Sequence, residues 1–240
     1  MLAIDIETMG LNMKDKACPI TMICIYDPEK NISKSYPFLD CVNVNSGEIT
    51  DPAMFDAYRQ DLVCELDTAD SICSFNGVDF DIPFIIHMLD IDQSKFVSWI
   101  YKTIDIFWTI KCLFNKWCKL KDMLSINGLE QKSADGLIAI EWARSGEKHL
   151  LQEYCMQDTV LTWKLTNLTH VRLPFKPSGA MADLKLYWTP YNKFNYTADW
   201  CAHPWCESSK CFVVYIYIYI YTNTYFPYIK FGRVVPLLWK

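Results

Sequence analysis

The chain has 240 residues, 51% hydrophobic and 21% charged, which is enough apolar material to bury one ordinary domain core and leave an appendage. A formal net charge of -5 argues against a protein that coats nucleic acid by bulk attraction, because such binders are basic over a whole face. No charged segment followed by an apolar run precedes Asp5, so the eleven cysteines are expected to be free thiols of an intracellular protein, cytoplasmic or nuclear, rather than disulfides of a secreted one.

Residues 2 to 7 and 20 to 26 are short apolar runs rich in β-formers and read as neighbouring strands, with 32 to 38 adding a third. Asp51-Pro52 is a cap followed by a residue suited to a first helical turn. Phe55, Tyr58, Leu62 and Leu66 then keep helical spacing to about Thr68. A strand over 71 to 75 and a helix over 82 to 89 follow. Further helices are expected at about 105 to 115, 120 to 127, 135 to 145 and 147 to 168. This order predicts an α/β fold, a mixed sheet flanked by helices with a site at the strand ends.

Beyond Arg172 the character changes. Pro174, Pro177, Pro190 and Pro204 break any long element, and Tyr215 to Tyr221 alternates tyrosine with isoleucine. The expected organisation is a domain over 1–171 and an irregular C-terminal extension over 172–240. The apolar run from Cys211 is interrupted at Thr222 and falls short of the roughly 20 residues needed to span a bilayer, so no membrane partner is expected.

Side chains two apart on a strand point to one face, so Asp5 and Glu7 project together while Ile4 and Ile6 face the core. Two carboxylates at a strand end make half of a site for magnesium or manganese, which prefer hard oxygen ligands. Asp158 lies in a strongly helical stretch with Tyr154 one turn earlier, roughly 6 Å along the axis and on the same face. A phenol placed there can orient an attacking water, whereas its ordinary acidity makes it a poor base. Asp81, after Phe80 and ahead of Pro83, takes the remaining carboxylate role.

Asp5-Ile6-Glu7-Thr8, Asn76-Gly77-Val78-Asp79-Phe80-Asp81 and Tyr154-Cys155-Met156-Gln157-Asp158 together resemble the three motifs of the DEDD 3′-to-5′ exonucleases, the DnaQ-like, ribonuclease H-like group. The likeness spans about residues 2 to 168. The Tyr-x-x-x-Asp form is that of the DEDDy branch. Lys119-Leu120-Lys121-Asp122-Met123, Gln131-Lys132 and Asp135-Gly136 resemble the stand-alone exonucleases related to family B DNA polymerases. The resemblance implies a ribonuclease H-like domain in which Asp5, Glu7, Asp81 and Asp158 hold two Mg2+ (or Mn2+) ions and Tyr154 orients water. It further implies that Thr8, Met9 and Leu11 lie along the terminal nucleotide, with Asn76 and Phe80 near the strand end. Single-stranded DNA or frayed 3′ ends are the implied substrate. An exoribonuclease and a catalytically silent module that binds nucleic acid or a protein partner are the alternatives.

Lys111, Lys116, Lys119 and Lys121 interleave with Phe114 and Trp117, and no acidic residue falls between 106 and 121. Such a run can contact phosphates and stack bases; a solvated helix with a buried aromatic stripe is the favoured reading. Asp105, after Ile104 in a strand-like stretch, reads as a helix cap, with support of the site as the other role. Cys201, His203, Cys206 and Cys211 have separations that fit no paired zinc spacing, and no zinc is expected.

Overall fold

The computed structural model describes residues 1–114, 117–131, 136–168, 171–173 and 183–184. The chain divides into two compact units, Met1–Phe194 and Asn195–Lys240, and every described residue lies in the first. The Cys/His group at 201–211 and the Tyr/Ile repeat lie outside the described residues.

Five strands form a mixed sheet. β1 (Leu2–Thr8), β2 (Ile20–Asp27) and β3 (Ile32–Tyr36) make an antiparallel meander, and β4 (Ile72–Ser74) and β5 (Thr103–Asp105) extend it in parallel beyond β1, giving the order β3-β2-β1-β4-β5. β2 is buried on both faces through Tyr26, so apart from Thr21 it is apolar rather than alternating. β3 stops at Tyr36, two residues short of the expected end, because Pro37 has no amide to continue the ladder and opens a 3-10 turn over Phe38–Asp40. As an edge strand, β3 carries Lys34, which pairs with Asp61 and Glu65 of α1 (Pro52–Thr68).

The Asp51 side chain accepts from the Met54 amide at 3.0 Å and caps α1, whose Phe55, Leu62 and Leu66 are buried as the spacing predicts. α2 (Asp81–Met88) is buried almost all round. α3 (Gln93–Tyr101) has no counterpart among the sequence expectations, although Asp92 caps it by accepting from Ser94 and its Phe96, Trp99 and Ile100 face the core. α4 (Ile106–Phe114), α5 (Leu120–Ile126), α6 (Gly136–Ser145) and α7 (Lys148–Thr166) follow.

α7 lies across β1 and β2. Its buried face, Leu151, Tyr154, Cys155, Asp158, Thr159, Leu161, Thr162 and Leu165, repeats every three or four residues, so two carboxylate-bearing elements meet where a helix covers the central strand. The cysteines that are described are free thiols, and among the described residues no helix is long and apolar enough to cross a membrane.

Candidate active site

On β1 the alternation holds. Ile4 and Ile6 are buried on one face, while Asp5 and Glu7 are half-buried on the face covered by α7. Asp5 opposes Cys24 and Glu7 opposes Met22 on β2, after which a bulge at Glu7/Thr8 shifts the register and ends regular pairing. The Thr21 hydroxyl donates to the Glu7 carbonyl at 3.0 Å and helps fix the bulge.

The carboxylates of Asp5 and Glu7 and the Cys155 sulfur offer atoms that all lie within 4.8 Å of one another. Cys155 lies on the buried face of α7. Its thiol donates to the Asp5 carbonyl at 3.4 Å, and burial, a hydrogen bond with Cys24 and the charges of Asp5 and Glu7 push it well above an ordinary thiol, so it stays protonated. It ties α7 to β1 at Asp5. That contribution escapes sequence reasoning, where Cys155 enters only as part of the Tyr154–Asp158 motif.

Asp81 reaches the same strand from the other side of the motif set. The amide of Ile6, between Asp5 and Glu7, donates to Asp81 Oδ1 at 3.1 Å. Burial, and then the charge of Asp105, push the Asp81 carboxyl up to about 7 despite that amide. Asp158 is buried on the sheet-facing side of α7, one turn from Tyr154. Tyr154 is buried among Met9, Met22, Ala139 and Ala143, meets Trp142 edge to face at 5.9 Å, and carries its hydroxyl 3.9 Å from where a Cβ on Gly136 would stand.

The segment between β4 and α2 is held from within. Asn76 adopts a left-handed φ of 71°, a conformation that asparagine tolerates better than most residues. Asp105 fixes it: its carboxylate accepts from the Asn76 amide at 3.0 Å, from Val78 at 2.9 Å, and from Trp108 at 2.9 Å in the first turn of α4. Asp105 is thus both the cap expected from sequence and a clamp on the loop that leads to Asp81. Burial pushes its own carboxyl up to about 6 against those amides.

The remaining expected contacts divide. The Thr8 hydroxyl donates to the Gly10 carbonyl at 2.6 Å, and Met9 is 7% exposed within the Tyr154 cluster. Leu11 is 84% exposed, and half-buried Phe80 lies against Phe84 at 4.9 Å. Lys111 pairs with Asp79 at 3.1 Å and lies over the rings of Trp108 and Trp117. Trp117 is 74% exposed, so the aromatic stripe expected to be buried is open there, and the side chains of Phe114 and Lys116 lie outside what is described. A groove of about 390 Å3 runs along α7 beside His149, Gln152, Met156 and Val160, and none of the four carboxylates lines it.

The donor set fits divalent ions of the magnesium class. Asp5 and Glu7 offer hard carboxylate oxygens close together, the donor type that such ions take.

The sequence matches the RNase_H superfamily over residues 2–170. Among solved structures, the chain is similar to the family B DNA polymerase from the hyperthermophilic archaeon Pyrobaculum calidifontis, at 17% identity and a TM-score of 0.48, over 69% of this chain and 24% of that one. No curated protein matches. With a mixed five-stranded sheet flanked by helices and a superfamily match over most of its length, the chain belongs to the RNase_H superfamily and has a ribonuclease H-like nuclease fold.

Proposed function

We propose that the protein is a metal-dependent 3′-5′ exonuclease that hydrolyses phosphodiester bonds of single-stranded or frayed DNA and releases 5′-mononucleotides. The observation that supports this reading is the approach of Asp5 and Glu7 to Cys155, which lies between Tyr154 and Asp158 in the sequence of α7, while Asp81 bonds to the Ile6 amide between the two strand carboxylates. Asp5, Glu7, Asp81 and Asp158 would hold two Mg2+ or Mn2+ ions. When bound, these supply charge neutralisation at the phosphate and a more acidic water.

The chain's own residues do the rest. Asp5 and Glu7 are set by strand geometry and by the bulge, so their spacing costs little to maintain. Asp81 is held by the Ile6 amide and, through its loop, by Asp105. Tyr154 orients the attacking water through its hydroxyl, and its buried ring limits the directions that hydroxyl can take. Thr8, Leu11, Asn76 and Phe80 border the terminal nucleotide, with Met9 supporting them from the core.

Matched single-stranded DNA and RNA, labelled at the 5′ end, test the reading. A ladder that shortens from the 3′ end of DNA supports it. A ladder on RNA alone assigns the exoribonuclease instead, and internal cuts overturn the exonuclease assignment.

A further inference from the structure

The run from Trp117 to Lys121 alternates outward and inward. Trp117, Lys119 and Lys121 are exposed, and Cys118 and Leu120 between them are buried in the cluster with Phe107, Ile110 and Leu124. The buried pair pins the backbone, so the outward three form a fixed aromatic and basic rim. No acidic residue interrupts the chain from Ile106 to Lys121.

Trp117 is also held from beneath. Its ring lies 5.3 Å from Phe107, which in turn meets Phe75, and Lys111 Nζ stands 4.8 Å from its centre. Even so it is 74% exposed, so most of the indole is offered to solvent while its position is fixed. Lys111 is the link to the site, because its ammonium pairs at 3.1 Å with Asp79, two residues before Asp81.

We propose that Trp117 is a stacking platform for a base of the single-stranded substrate upstream of its 3′ end, with Lys119 and Lys121 holding the adjoining phosphates. The proposal rests on the nuclease reading for its substrate and deepens it. An acidic protein needs a local basic patch to take up a polyanion, and an aromatic face flanked by lysines suits a base between two phosphates without regard to sequence. An acidic peptide would also meet the lysines, but a chain of bases matches the exposed indole beside them as well.

The test uses the full chain, a fluorescein-labelled oligothymidylate with calcium in place of magnesium for binding, and the p-nitrophenyl ester of thymidine 5′-phosphate with magnesium for the reaction. Trp117→Ala should weaken oligonucleotide binding about 5- to 100-fold, the loss of one stacked base, while ester hydrolysis stays at the wild-type rate. Trp117→Phe should recover most of the affinity. Lys119→Gln and Lys121→Gln should each flatten the salt dependence of binding by about one unit of slope.

Unchanged oligonucleotide binding by Trp117→Ala, or an equal loss of ester hydrolysis, overturns the platform and leaves the nuclease reading standing. Should the wild type bind the oligonucleotide through Trp117 yet hydrolyse neither substrate, the platform stands and the nuclease reading fails.

Discussion

Gly77 sits in the loop that delivers Asp81, and a single added methyl group measures how tightly that loop is set. A Cβ there would stand 2.5 Å from both Cβ and Oγ of Ser74, which is fully buried at the end of β4. Something must move, and the loop is poorly placed to do so. The amides on either side of Gly77, those of Asn76 and Val78, both donate to Asp105, and the Gly77 carbonyl accepts from Ile82 at 2.8 Å. Overpacking of this kind costs about 1–3 kcal/mol, and giving up one charge-assisted hydrogen bond raises the expected cost of Gly77→Ala to about 2–4 kcal/mol. For a domain of this size that corresponds to a melting temperature lower by about 5–15 °C. Because the displaced loop carries Asp81, activity should also fall about a hundredfold. Urea denaturation of Gly77→Ala, Ser74→Gly and the double variant gives the coupling directly. Ser74→Gly removes the opposing Cβ and should return at least about 1 kcal/mol, whereas Ser74→Ala keeps that Cβ and should return little. A Gly77→Ala protein within about 0.5 kcal/mol of wild type, or full relief by Ser74→Ala, would refute the steric argument.

Asp105→Ala leaves three amides, two of them fully buried, without their acceptor and should cost about 3 kcal/mol in urea denaturation; Asp105→Asn, which can still accept from Asn76 and Trp108 through one oxygen, should be milder. Asp81, pushed up to about 7, binds its proton more tightly folded than unfolded, so its contribution to stability is full at low pH and is lost as pH rises through about 7. Melting in chelator should therefore show Asp81→Asn gaining on wild type from about pH 4, where an unfolded carboxyl gives up its proton, to about pH 7, with little further gain above; parallel curves over that range would contradict the raised carboxyl. Below about pH 7 a metal ion must displace that proton, so magnesium affinity measured by calorimetry should fall by up to about tenfold per pH unit, and a pH-independent affinity would argue against Asp81 as a ligand. Ending the chain after Thr169 removes Val171 and Leu173, both fully buried, along with the two bonds between Asn127 and Arg172, and should cost about 3–6 kcal/mol; a chain ending just beyond Leu173 keeps them.

Local pattern carried much of the fold into view. The period-two spacing of Asp5 and Glu7, the Asp51-Pro52 start of α1 and the apolar face of α7 all follow from rules that act within a few residues, and the structure holds them as expected. α3 was missed although its cap and its Phe96, Trp99 and Ile100 spacing were readable; it is short and directly follows Asp90, whose left-handed φ of 49° reverses the chain. The Asp105 clamp spans 27 to 29 residues in sequence, so composition and periodicity carry no trace of its partners. Cys155 was hidden for the opposite reason, since a buried cysteine inside the Tyr154–Asp158 motif looks like packing until its thiol is seen to meet the Asp5 carbonyl. That Trp117 faces outward follows from the burial of Cys118 and Leu120 beyond it, a tertiary contact that periodicity does not show.

The most direct test of the metal-dependent site is a cleavage time course on 3′-tailed and blunt DNA and on RNA of the same sequence, with magnesium, manganese or chelator, comparing wild type with Asp5→Ala and Asp158→Ala. Cleavage by wild type that needs the metal and disappears in both variants, each shown to be folded, is the predicted result. Cleavage that persists in chelator, or in either variant, would contradict the four-carboxylate site.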